Sequence, residues 1–179
     1  MKKTISVVFL GIMTMANAQV IIGDNIGTAA TKTSVLLEFA AGQNKGIILP
    51  YVRTLPTSPT EGTLILDATT ASTARVKYYN GTWKDLSGQN ADITSALANQ
   101  PTGITESSTS KAVIGANTSS ADGVLVLEST TKAMVLPQVN DVQDIVNPSP
   151  GMIVYVNKTN ANLFAVFNGS KWSFWEPTP

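Results

Sequence analysis

The residue types that most often carry chemistry are scarce in this sequence. It contains neither histidine nor cysteine, which excludes Ser-His-Asp and Cys-His nucleophilic catalysis and the ordinary zinc sites. Among the twelve acidic residues, Asp141 and Asp144 form the closest pair of interest. Both would lie in a short predicted helix, where negative charge near the N-terminus is stabilising, and we favour that role over acid–base work. The sequence therefore predicts no enzyme, no cofactor and no metal site.

Aromatic side chains carry the only specific binding chemistry. They gather around two predicted hairpins, and Trp and Tyr rings on an exposed sheet face could stack on sugar rings. Alternatively, the rings fill small cores or an oligomer interface, which we favour for Trp83 and Trp172. Tyr79, Phe174 and Trp175 stay open between the two roles. The candidate ligand-binding residues are Tyr78, Tyr79, Trp83, Phe167, Trp172 and Trp175.

The strands that must position these rings belong to an internal repeat, which occurs twice in the sequence. Residues 123–128, 132–137, 151–155 and 167–172 form one set of short motifs, and 34–38, 45–50, 62–66 and 79–83 repeat them in the same order. Short apolar runs between Gly, Pro and Asn are typical of strands, and Asn-Gly at both hairpins is a strong turn signal. The sequence predicts an all-β fold of two tandem copies of a small β-hairpin-rich unit, with short connecting helix or loop segments.

The domain boundaries follow from composition. Lys2 and Lys3 precede an apolar run, and Ala16 and Ala18 give a small-x-small cleavage pattern, so we expect residues 1–18 to be a signal peptide. We expect β repeats over 19–86 and 112–179, joined by a Ser/Thr/Asn-rich linker over 87–111 in which Asp92 caps a short helix. The mature chain has no other stretch that could span a membrane. We expect it to be exported, either secreted or at the cell surface.

Size and charge restrict how the mature chain is stabilised and what it binds. Without cysteine it has no disulfides, and each copy is below about 70 residues, where a single core is marginal. The copies should therefore pack on each other or on other chains. Losing Lys2 and Lys3 leaves 10 of the 12 basic residues against 12 acidic ones, so nucleic acid is not an expected partner.

Three details of the copies can be tested against a structure. Glu38 and Glu128 end matching strands, and we interpret both as solvated strand ends. Residues 124–127 are apolar on both faces, so this strand should be covered twice, in a sandwich core or a subunit interface. A two-residue turn after Tyr79 would place Tyr78 opposite Trp83.

The second hairpin is one residue longer than the first. Trp83 follows Gly81 by two residues, whereas Trp172 follows Gly169 by three. Two-residue turns in both would put the tryptophans on opposite faces. Keeping the tryptophans equivalent needs a longer loop or a bulge at Ser170 that absorbs the extra residue, and we predict the bulge.

The order of these motifs resembles a repeat of bacterial secreted surface proteins and tail-fibre-like proteins. The sequence departs from that repeat at Ala133, Gln138 and Asn140, where Gly, Arg and Thr are usual. The resemblance implies a β-rich stalk, fibre or adhesin part that is often oligomeric. The matching residues are Lys132, Leu136, Pro137, Gln143, Ile145, Pro148, Gly151, Ile153, Val154, Tyr155, Asn157, Asn168, Gly169 and Trp172.

Together these observations favour an exported, non-catalytic structural or adhesive protein, such as a cell-surface or fibre-like component. It would act by multivalent surface contact, in which repeated weak sites gain affinity together. The expected partners are further copies of itself, as in a homo-oligomer such as a trimer, and a surface polysaccharide or other surface proteins. The alternative is a secreted carbohydrate-binding module that uses the hairpin aromatics.

Overall fold

The computed structural model describes residues 19–103, 107, 110–159 and 161–175. The predicted signal peptide, residues 1–18, lies outside these ranges. Strands dominate the regular structure, which confirms the all-β prediction. Within the described ranges, no helix has the length and apolar character needed to cross a membrane. The strands of the first copy are β1 (Val20–Ile22), β2 (Val35–Phe39), β3 (Ile47–Ile48), β4 (Tyr51–Val52), β5 (Leu64–Asp67), β6 (Arg75–Asn80) and β7 (Thr82–Asp85).

The second copy repeats this series of strands and their pairings. In each copy the first two strands pair in parallel, the fourth pairs in parallel with the fifth, and the last three form an antiparallel meander. The internal repeat predicted from the motifs is therefore present as repeated hairpin units. The strands of the second copy are β8 (Ala112–Ile114), β9 (Leu125–Leu127), β10 (Ala133–Met134), β11 (Gln138–Val139), β12 (Met152–Lys158), β13 (Ala161–Phe167) and β14 (Trp172–Trp175).

The third strand of each copy, β3 or β10, pairs with the other copy. β3 runs antiparallel to β12, with Ile47 opposite Ile153. β10 runs parallel to β2, with Ala133 opposite Val35. The two copies thus exchange strands and are not independent domains joined only by a linker. We call β3 and β10 the third strands below.

The larger hydrophobic core is shared between the copies. Ile153 and Val166 of the second copy lie in the same cluster as Leu66 and Val76 of the first, and Leu136 packs against it. This confirms the expectation that the copies pack on each other. A second cluster belongs to the second copy alone and consists of Val139, Val142, Ile145, Met152, Val154, Val156 and Ala165.

The segment predicted as a linker, residues 87–111, is in part a core element. Ala91, Ile93 and Leu97 are buried in the shared cluster, so the linker prediction is wrong for this first part. The predicted short helix is confirmed as α1 (Thr94–Ala98). Asp92 accepts a hydrogen bond from the Thr94 amide at 2.9 Å, which ties the chain just before the helix begins.

A glycine in the first copy makes the strand exchange possible. A Cβ atom at Gly46 would lie 2.5 Å from Met152 Cγ and 2.7 Å from the carbonyl oxygen of Ile153, closer than packed atoms tolerate. β3 therefore approaches β12 as closely as it does because position 46 has no side chain.

We predict that Gly46→Val lowers the free energy of unfolding by about 1–3 kcal/mol, since overpacking forces backbone to move. Gly123→Val is the matched control, because a Cβ there meets its nearest atom at an ordinary 3.6 Å. Urea unfolding monitored by tryptophan fluorescence measures both. Equal midpoints for the two variants would contradict the close contact between β3 and β12.

Candidate functional site

The first aromatic hairpin places Tyr79 opposite Trp83. The turn between them, residues 80–82, has three residues because Gly81 adopts a left-handed φ of +68°. The two-residue turn is therefore wrong, and Tyr78 does not face Trp83. The Tyr79 and Trp83 rings meet edge to face, with centroids 5.3 Å apart.

The second aromatic hairpin places Phe167 opposite Trp172 across a four-residue turn, residues 168–171. The ring centroids lie 5.2 Å apart. Because the turn has one residue more than its counterpart, each tryptophan faces the equivalent aromatic residue of its hairpin. A longer loop absorbs the extra residue, so the predicted bulge at Ser170 is wrong: Ser170 lies within the turn, and the pairing beyond it is regular.

The six candidate ligand-binding residues divide between these two hairpins. Tyr78 packs against the shared core, and Phe167 and Trp172 pack against the core of the second copy. Trp175 has 47% of its surface exposed and donates its indole N–H to the carbonyl oxygen of Leu86 at 2.9 Å. The structure thus brings together two aromatic pairs, each within its own hairpin.

Asn168 has a structural role that the turn motif alone did not reveal. It is fully buried at the tip of the second hairpin. Its amide donates to the carbonyl oxygen of Gln89 at 2.8 Å, and its Oδ1 accepts from the amides of Ser170 and Lys171 at 3.0 and 2.9 Å. The equivalent Asn80 is exposed. The tip of the second hairpin is therefore anchored to the segment that follows the first copy.

We predict that Asn168→Ala lowers the free energy of unfolding by about 1–3 kcal/mol, because a fully buried side chain and its three hydrogen bonds are lost. Asn80→Ala, the matched control, should change it by less than about 0.5 kcal/mol. Thermal and urea unfolding of both variants test the difference. A similar small effect at both positions would show that the buried amide does not anchor the hairpin.

Glu38 corrects a prediction made from the sequence. It is fully buried rather than a solvated strand end, because the loop before β2 folds over it. Its carboxylate receives Lys32 Nζ at 2.5 Å and the amides of Thr28 and Ala29 at 2.8 Å each, and Gln19 also donates to it. The signal for this burial lies in the small residues of the loop rather than in the strand.

These donors decide the charge of Glu38. Burial alone would raise its pKa, but the hydrogen bond from Lys32, the backbone donors and the positive charge of Lys32 hold the pKa below the ordinary value of 4.5. Since the folded pKa is the lower one, the ionised carboxylate stabilises the fold above pH 4.5. That contribution is lost as pH falls through the folded pKa.

We predict that Glu38→Gln lowers the free energy of unfolding at pH 7 by about 1–3 kcal/mol, because the carboxylate loses charge-assisted hydrogen bonds. The difference from the wild type should shrink as pH falls below about 4.5, where the carboxylate takes up its proton first in the unfolded chain and then, at lower pH, in the folded one. Urea unfolding between pH 7 and pH 3 measures it. A difference that stays constant over this range would contradict the role of the ionised carboxylate.

Asp141, one of the acidic pair singled out in the sequence, has a structural role. Asp141 precedes a single 3₁₀ turn (Val142–Asp144) and accepts from the amide of Gln143 at 3.1 Å, so its role is that of a cap. The side chain also meets Lys158 Nζ at 3.1 Å. No cluster of three or more acidic side chains suited to a metal ion occurs in the part of the chain that the structure describes.

Exposed apolar side chains on short strands are the most distinctive surface feature. Val124 and Leu125, at and just before β9, have 62% and 47% of their surface exposed, and Ile48 of β3 has 51%. In the first copy, Val35 of β2, the counterpart of β9, is only 3% exposed. From its sequence, the strand of residues 124–127 was expected to be covered on both faces, in a sandwich core or in a subunit interface. Because it is exposed in the single chain, we interpret it as part of a subunit interface.

The comparison with protein families agrees with this surface. The family model described as "Phage tail like trimerisation region" matches residues 25–106 and again residues 113–177. The chain belongs to this family. The searches of curated proteins and of solved structures found no significant match. A phage tail-like trimerisation region is a structural, fibre-like component that assembles as a homo-oligomer.

Proposed function

We propose that this protein is an exported, non-catalytic structural component that assembles as a homotrimer and forms part of a fibre or surface appendage. The family match carries the proposal, because a trimerisation region accounts for both copies of the unit and for most of the chain. The exposed strands support it, since long-lived apolar exposure at strand edges is otherwise a source of aggregation. Export follows from the pattern of residues 1–18.

Adhesion would follow from the assembly rather than from a deep pocket. Three chains carry six copies of the unit, so a weak contact made by each copy adds to the overall affinity of the trimer. A surface polysaccharide or another surface protein would be the partner. The trimer would hold these contacts at fixed spacing, and no cofactor takes part.

Carbohydrate binding by the hairpin aromatics is the second candidate. Phe174 and Trp175 favour it, because half of each side chain is exposed. However, neighbouring residues of a strand point to opposite faces, and the indole N–H of Trp175 is already bound to Leu86. A sugar could therefore use one of these rings at a time, which favours weak, repeated contacts over one stacking platform.

We predict that light scattering of the purified protein, measured over a series of concentrations, gives the mass of three chains. The apolar area left exposed on each single chain provides the driving force. Glycan arrays and secretion assays then test adhesion and export. A monomer at all concentrations would contradict the proposed assembly.

A further inference from the structure

We infer that chains join through a repetition of the contact that joins the two copies within one chain, so that the second copy of one chain binds the first copy of the next. This inference rests on the proposed homotrimer and identifies its interface. The partner is a second copy of this protein. The segments that meet are β9 with the next chain's β3, and β10 with the next chain's β5.

The contact inside one chain has a direction. β10 pairs with β2, whereas β3 pairs with β12 and not with β9. A two-fold contact would use the same pair of strands both ways, so this one is heterologous. A heterologous contact leaves one complementary surface open on each side. Among the described strands, β9 pairs only with β8, although its counterpart β2 has two neighbours.

The open surface of the first copy lies on β5. In the second copy, Ile153 of β12 has β3 beside it and is buried. Its counterpart is Leu64 of β5, which is half-buried. β4 covers only Leu66 and Asp67 of this strand. The first half of β5 therefore has an outer edge that matches the edge filled by a third strand in the second copy.

The third strands use opposite edges in the two copies. β10 donates the amides of Ala133 and Val135 to β2, each at 2.8 Å, whereas β3 donates the amide of Leu49 to Gly151 at 3.0 Å. Leu49 corresponds to Leu136, the residue after Val135, and successive backbone amides of a strand point to opposite sides. In each third strand, therefore, the edge that pairs in its counterpart is unpaired.

The free edges fit one another in the next chain. β3 can add to β9 of a neighbouring chain as β10 adds to β2, in parallel. β10 can add to the neighbour's β5 as β3 adds to β12, antiparallel. The exposed Ile48 and Leu125 lie on the two strands that would meet. Because heterologous contacts close into rings when the rotation allows, and the family is one of trimerisation regions, the ring has three chains.

The first experiment changes these two strands and measures the mass of the assembly. Ile48→Glu and Leu125→Glu each place a charge in the inferred interface, whereas Val146→Glu, at a residue that is 82% exposed outside it, is the matched control. We expect both interface variants to lose the trimer at concentrations where the wild type and the control keep it. Circular dichroism verifies that each variant is folded.

The outcomes separate the inference from the proposed function. A trimeric wild type with interface variants that are as trimeric as Val146→Glu would overturn the inference and leave the homotrimer standing. A monomeric wild type would overturn both.

A second experiment does not depend on variants that stay folded without the interface. The chain has no cysteine, so introduced cysteines can report on the interface. In the repeated motifs Ile47 matches Met134, and Leu127 matches Leu37. The pairing of Met134 with Leu37 therefore corresponds to a pairing of Ile47 with Leu127 of the next chain. A chain carrying Ile47→Cys and Leu127→Cys should form covalent dimers and trimers on oxidation, seen on denaturing gels without reductant. Each single variant should stay largely monomeric there. Only monomeric bands from the double variant would overturn the inferred pairing.

Discussion

The structure depends on the exchange of short third strands between two copies of one unit. β3 and β10 have two residues each, and such strands are not stable without a neighbouring strand and a core beneath them. The exchange supplies both, because it brings Ile153 and Val166 into the core of the first copy. A chain without disulfides can therefore be stabilised by one core that neither small copy could build alone.

Much of the local structure could be predicted from sequence, whereas the exchange could not. Asn-Gly pairs, prolines and short apolar runs identified the hairpins and strands, since these signals act over a few residues. The pairing of β3 with β12 joins residues about a hundred positions apart, and a two-residue apolar run carries no information on its partner. Glu38 was misjudged for a similar reason, because its ligands come from a loop of small residues with no periodic pattern.

The same constraint connects the fold with the function of a phage tail-like trimerisation region. Because the contact between the copies is heterologous, one chain makes it once. The strand edges that would form the next such contact, on β9 and on β5, stay unpaired in a single chain. A monomer would leave Val124 and Leu125 in water, at a cost that grows with the apolar area. Assembly thus follows from the internal repeat.

Residue-resolved amide hydrogen exchange tests the exchange of third strands most directly. The amides of Leu49, Ala133 and Val135 bind carbonyl oxygens of the other copy, whereas that of Leu66 binds within its own copy. We expect the first three amides to exchange as slowly as that of Leu66, because the exchanged strands make the two copies one cooperative unit. Fast exchange at Leu49, Ala133 and Val135 beside a protected Leu66 would show that the copies fold separately and would contradict the exchange of third strands.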